Sequence, residues 1–308
     1  MIIRAEEPRD YAAITDVNIR AFDHRLSEAL IVVLQRQRPG FDPDLAPVAE
    51  IDGRIVGNAV FCPQQLRLLG EDVSGVLLAP IAVDPDYQRH GIGKALIEHG
   101  HRVAREKGFA LAMLVGHTEY YPQFGYEMNV YGASSVTVTR EAVKASPPLV
   151  TRRPRWEDLD VLHTLWRHEE NAVDFALIPD YTLMSWLSPN PLIECTVYLR
   201  DERIVGYTRI SSAEPASPRV FLAADADAAH AMCAHVLEAI EPPVDHLTLP
   251  LHPQSATSAV FPGAECRAWG AAMALPLAPS PFDAFLPRLR AGLIPPGRVQ
   301  WATIFDVE

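Results

Sequence analysis

Apolar residues recur along this chain at two spacings, every second residue in short blocks and every third or fourth in longer ones, and the order of the blocks predicts an α/β fold built on a mixed sheet. Ile2 to Ala5 reads as a short strand. Tyr11, Ile14, Val17 and Ala21 put an apolar face on a helix from Asp10 to Phe22. A second helix is expected from His24 to Arg36, with Leu26, Leu30 and Val33 turned inward, and Pro39-Gly40-Phe41-Asp42-Pro43 ends it. Strands from Ala46 to Ile51 and from Arg54 to Pro63 flank Asp52-Gly53, a two-residue hairpin signal. Gly75 to Val83 is an apolar strand, Gly91 to Lys107 a helix stopped by Gly108, and Ala110 to Val115 the next strand.

The pattern then repeats. Asp201-Glu202-Arg203-Ile204-Val205-Gly206 shares five of six residues with Asp52-Gly53-Arg54-Ile55-Val56-Gly57, and Arg152 to Leu159 echoes Arg4 to Asp10. An internal duplication accounts for both. At 308 residues the chain is long enough for two domains, expected at 1–140 and 151–308, with Ser146-Pro147-Pro148 in the linker.

One junction carries the chemistry. In residues 76–96, VLLAPIAVDPDYQRHGIGKAL, an apolar strand passes through an Asp-Pro loop into Gln88-Arg89-His90-Gly91-Ile92-Gly93 and then a helix. Unpaired backbone N–H groups and the positive end of the helix dipole favour an anion there, and Arg89 and Lys94 add charge. A Walker loop would need glycine at Gln88 and Ser or Thr at Ala95, and a dinucleotide fingerprint would need glycine at Leu96. Both are excluded. Downstream stands Tyr120-Tyr121-Pro122-Gln123-Phe124-Gly125-Tyr126.

The Gln88-x-x-Gly91-x-Gly93 loop, followed by Tyr121-x-x-x-Gly125-Tyr126, resembles the acetyl-CoA motif and tyrosine signature of the GNAT acetyltransferases. The resemblance is specific over about residues 1–135 and implies two tandem GNAT-like domains, the second degenerate. It further implies that acetyl-CoA is the acetyl donor and that a primary amine of a small molecule or peptide is the acceptor. In the family the amides of Gln88, Arg89, His90, Gly91, Ile92, Gly93 and Lys94 would hold the coenzyme A pyrophosphate. The backbone of Ile81, Ala82 and Val83 would hold the pantetheine arm and the thioester carbonyl. Tyr121 aligns with the tyrosine used as general acid. A phenol near ~10 giving its proton to a thiolate near ~8.5 is uphill by roughly 2 kcal/mol, so hydrogen-bond donation is the main role expected. An alternative from another class is a non-catalytic acetyl-CoA or acyl-CoA sensor.

No base is assigned: the strand from Val76 to Val83 carries no carboxylate, and Asp84, His117, Glu119, Glu127 and Glu308 stay open. The acceptor end is expected near the turn at Leu26, the loop from Pro39 to Pro47 and the second domain. In the second half, Val220 to Ala223 leads through Asp225 and Asp227 into an Ala-rich helix with no glycine, so one cofactor site per chain is expected.

Composition adds exclusions. The net charge of −12 argues against nucleic acid, and no run of 18 apolar residues suggests a membrane span, so a cytoplasmic protein is expected. Homodimerisation stays open. The four cysteines have no metal-site spacing, His168-Glu169-Glu170-Asn171-Ala172 lacks the second histidine of a zinc motif, and His99 and His101 read as helix surface; no metal is expected.

Overall fold

In the computed structural model all residues except Trp301 and Glu308 are described. In chain order the main elements are β1 (Ile2–Ala5), α1 (Tyr11–Ala21), α2 (Ser27–Gln35), β2 (Pro47–Ile51), β3 (Arg54–Leu68), β4 (Glu71–Val83), α3 (Ile92–Glu106), β5 (Leu111–Val115) and β6 (Tyr131–Thr139). The second half adds β7 (Val150–Arg152), α4 (Leu159–Glu170), β8 (Phe175–Ile178), β9 (Ile193–Arg200), β10 (Arg203–Ser211), β11 (Val220–Ala223), α5 (Ala226–Ala239) and β12 (His246–Leu249). It ends with β13 (Glu265–Ala268), β14 (Ala272–Pro276), α6 (Phe282–Arg290) and β15 (Gly297–Arg298). The fold is α/β with a mixed sheet and a second, four-stranded sheet ordered β11-β10-β9-β7.

The duplication is written into the backbone. Arg4 pairs with Asp10 at 2.6 Å, and Arg152 pairs with Asp158 at 2.6 Å. Each aspartate also accepts the backbone N–H three residues before it, Glu7 at 2.8 Å and Arg155 at 2.7 Å. Val56 on β3 and Val205 on β10 are the extra residues of matching β-bulges, and their carbonyls accept from Asp84 N (2.9 Å) and Ala224 N (2.8 Å). The bulge thus pins the strand end from which each helix departs.

The two halves exchange strands. β14, from the second half, pairs antiparallel with β5 over Ala272↔Val115 to Pro276↔Leu111. β6, from the first, pairs with β12, β13 and β15 of the second half and so lies towards the far end of the same eleven-stranded sheet. Met273 and Leu275 of β14 complete the core under α3, while Ala272 and Ala274 fill the core on the other face beside Leu111, Met113 and Phe175.

Three sequence expectations need correction. Leu26, Leu30 and Val33 do not face inward: they are 60%, 46% and 44% exposed, and Ala29, Val32 and Gln35 are buried instead. The segment from Ala29 to Leu34 is apolar all round, so periodicity cannot select a face, and small Ala29 permits the closest approach to the core. His101 is not surface; it is buried, with Nε2 2.9 Å from the Tyr126 hydroxyl and its ring edge-on to Phe61. The hairpin is also longer than the pattern suggests, because β3 continues past Pro63 to a turn at Leu69-Gly70 with φ of 48° and 85°.

Burial lowers His101 from 6.5 to about 4, and His252, whose Nε2 contacts Pro296 O at 2.9 Å, is lowered likewise to about 4. Each is neutral in the folded chain and takes up a proton on unfolding, so stability is lost as pH falls from 6.5 towards 4. The loss reaches about 3 kcal/mol per histidine. Urea midpoints for His101→Gln should fall less steeply than wild type over this range; parallel slopes would contradict the burial assignment.

Candidate active site

The site begins where two strands part. β4 and β5 pair only from Gly75↔Leu111 to Leu77↔Met113. At Ala79-Pro80 β4 bulges against β3, with Phe61↔Leu78 and Ala59↔Ile81 on either side, and it then follows β3 away from β5. A wedge opens between Leu78–Val83 and Val115–His117. The Val83 carbonyl accepts from Gln88 Nε2 at 3.1 Å, so the Val83 backbone faces away from β3 into the wedge. By the alternation of an antiparallel strand the Ile81 backbone does too, whereas Ala82 turns to Asn58 of β3.

The loop after β4 is braced from outside. Arg20 of α1 holds Asp84 at 3.0 Å and Asp86 at 2.7 Å, and the Asp84 carboxylate accepts Asp86 N at 3.0 Å. Those contacts neutralise the loop's acids and leave Arg89 and Lys94 exposed beside the start of α3. Arg89 and Gly91 both have positive φ, 63° and 79°. No atom lies within 4 Å of a Cβ built at Gly91, so the backbone angle is what requires glycine there. No side chain caps α3, and the amides of Ile92, Gly93 and Lys94 have no acceptor within the helix. A Cβ on Gly93 would come within 3.1 Å of the Tyr120 hydroxyl, so that phenol overlies the helix start. His90 turns back, its Nδ1 3.2 Å from Tyr87 O, and does not line the cavity.

Across the wedge, a single helical turn at Tyr121–Phe124 ends on Gly125 at φ 89°. The turn lays Tyr121 edge-on to Tyr120 (5.2 Å) and Tyr126 (5.9 Å). Its ring lies over Gly116, where any Cβ would collide with it. The side chain is 7% exposed and borders the cavity, and burial pushes its phenol up to about 12. It therefore stays protonated at neutral pH.

Wedge, loop and tyrosines enclose one cavity of about 770 Å³. Ile81, Val83, Gln88, Arg89, Gly91, Ile92, Gly93, Lys94 and Tyr121 all line it; Ala82 and His90 do not. Among the lining residues that the sequence reading did not assign to the site are Glu28 of α2 and Phe305, which follows β15. Nothing in the pattern separates Glu28 from other surface acids, and Phe305 is brought in by contacts remote in sequence. Its neighbour Asp306 is buried, 2.7 Å from Arg219 and 3.5 Å from Arg209 of the second half, and Thr303 donates to Met184 O.

The base candidates separate. Asp84 is committed to Arg20, Glu127 pairs with Arg290, Glu119 is exposed outside the cavity, His117 lines it, and Glu308 lies outside the described residues. Glu169 accepts from Thr257 (2.6 Å) and Glu170 pairs with Arg298 (2.9 Å), both buried; among the described residues no acidic, His or Cys cluster suits a metal. No helix among them is long and apolar enough to cross a membrane.

A profile of the Acetyltransferase (GNAT) domain matches residues 2–129. The uncharacterized N-acetyltransferase YhbS of Escherichia coli K12 is 30% identical over 128 residues, which is 42% of this chain and 74% of that protein. This chain belongs to the GNAT acetyltransferase family. Another relative, the uncharacterized N-acetyltransferase YjhQ of E. coli K12, is 34% identical over 120 residues, which is 38% of this chain and 65% of that protein. The likeness of fold runs further. A GCN5-related N-acetyltransferase from Anabaena variabilis superposes with a TM-score of 0.69 at 13% identity, over 90% of this chain and 73% of that one. One from Kribbella flavida gives 0.69 at 17% identity over 89% and 70%. The GNAT fold therefore extends across both halves.

The second half's counterpart of the glycine loop is closed. Only Ala224 and Asp225 separate β11 from α5, and the Asp225 carboxylate accepts Ala228 N at 2.7 Å. A helix start already capped by its own carboxylate repels an anion.

Proposed function

We propose that the chain transfers an acetyl group from acetyl-CoA to a primary amine by direct attack, at one site formed mainly by residues 1–140. The second half, 151–308, is a degenerate GNAT copy that contributes β14 and the Phe305 wall. The observation carrying this reading is that an uncapped helix start with Gly91 at φ 79° opens into the same cavity as the parted β4 strand and Tyr121.

The amides of Gly91 to Lys94, with the Arg89 and Lys94 side chains, grip the pyrophosphate, whereas the Gln88 amide is held by Pro85 O at 3.4 Å and His90 lies off the cavity; the outward backbones of Ile81 and Val83 hold the pantetheine arm and the thioester carbonyl. The amine lone pair adds to that carbonyl carbon and a C–N bond forms; the C–S bond breaks with its electron pair leaving on sulfur as the coenzyme A thiolate, and nitrogen sheds its proton to solvent. With the Tyr121 phenol at about 12 and a thiol near ~8.5, complete proton transfer is uphill by roughly 5 kcal/mol. Tyr121 thus stabilises the departing sulfur chiefly by donating a hydrogen bond.

Calorimetry tests the cofactor site. A side chain at Gly91 forces an L-residue into the left-handed region at a cost of about 1–2 kcal/mol, so Gly91→Ala should weaken acetyl-CoA binding roughly tenfold. Failure of the unaltered chain to bind acetyl-CoA at millimolar concentration would overturn the proposal.

A further inference from the structure

The cavity's charges are distributed unevenly. Arg89 and Lys94, on the loop and the start of α3, are cations; Glu28, on α2, is the one carboxylate among the described lining residues. The Glu28 side chain is only 17% exposed. The Ser27 hydroxyl donates to Glu28 Oε2 at 2.7 Å, while among the described residues Oε1 faces the Arg25 guanidinium at 3.9 Å. One carboxylate oxygen is thereby fixed and the other left with acceptor capacity. Around it the wall is apolar, with Phe22, Ile31, Leu78 and Phe305 lining the same cavity.

We infer that Glu28 receives the acceptor, and that the acceptor is an amine with one positive charge on an apolar body rather than a polycation. This rests on the acetyl-transfer reading above and specifies its second substrate. A charge entering a partly dry cavity needs a counter-charge, and Glu28 supplies one. A polyamine or aminoglycoside brings further ammonium groups for which the described wall offers no second carboxylate. The aromatic and aliphatic wall instead gains from an apolar body at about 25 cal/mol per Å² buried. The bound ammonium must lose a proton to solvent before its lone pair can attack, so kcat/KM still rises with pH towards the amine's pKa.

The test uses the full chain with acetyl-CoA, following thiol release with phenethylamine, spermidine and kanamycin, and calorimetry of phenethylamine with the CoA-loaded protein. Phenethylamine should exceed spermidine and kanamycin in kcat/KM by at least tenfold. Glu28→Gln should raise its KM at least tenfold with acetyl-CoA affinity unchanged, and Glu28→Asp should recover part of the loss. Preference for spermidine or kanamycin, an unaltered KM in Glu28→Gln, or no binding of phenethylamine to the loaded protein would each overturn the inference. If acetyl-CoA binds and an amine is acetylated, the parent reading stands whatever Glu28 does; if acetyl-CoA does not bind, both fall.

Discussion

Tyr121→Phe is expected to lower kcat about 100-fold while leaving acetyl-CoA affinity within twofold, the scale seen when one preorganised donor to developing negative charge is removed. The substitution is clean because phenylalanine keeps the ring that rests on Gly116 between Tyr120 and Tyr126. Only the hydroxyl goes. With the phenol held up at about 12 by burial, Tyr121 should also impose no loss of rate as pH rises from 7 to 10. Tyr120→Phe is the control: its hydroxyl overlies Gly93, at the cofactor-loop side, so it should alter acetyl-CoA binding more than turnover. Single-turnover rates separate the chemical step from product release. Equal chemical rates for Tyr121→Phe and wild type would remove Tyr121 from the mechanism.

The largest effect on stability should come from cutting the chain at its proline-rich join. Residues 1–150 produced alone should fail to give a monomeric protein with a cooperative unfolding transition. The fragment lacks β14, so β5 becomes an open edge whose N–H and C=O groups lose their partners. The core under α3 loses Met273 and Leu275, each of which costs about 2–5 kcal/mol when cut back to alanine in a packed interior. That sum rivals the 5–15 kcal/mol that holds a whole domain together. Supplying residues 151–308 as a separate chain should restore a soluble complex. A stable monomeric 1–150 fragment, seen by sedimentation and circular dichroism, would show that the exchanged strand is dispensable.

Both predictions bear on how much the sequence discloses. The loop and Tyr121 were legible because their demands are local: a left-handed glycine, free amides at a helix start and a tyrosine four residues before Gly125 all lie within short windows. The duplicated hairpin was legible for the same reason, and the paired bulges at Val56 and Val205 show what its sequence encodes. Strand exchange was not legible, because an apolar strand such as Ala272–Pro276 satisfies either sheet equally and only the competing partners decide. The inward face of α2 was hidden by a helix apolar on every side. His101 was misplaced because a polar residue can lie inside wherever a partner like the Tyr126 hydroxyl awaits it. Glu28 and Phe305 reach the cavity through tertiary contacts alone.

The exchanged strand also sets a timetable for synthesis. A ribosome makes β5 long before β14, so the catalytic sheet cannot close while the first half is emerging; it must wait, with one edge bare, for a strand that begins only at Ala272. During that interval the nascent chain is exposed to chaperones and to its neighbours on the same polysome. Slow codons placed at the join would lengthen that exposure rather than help the first half to fold.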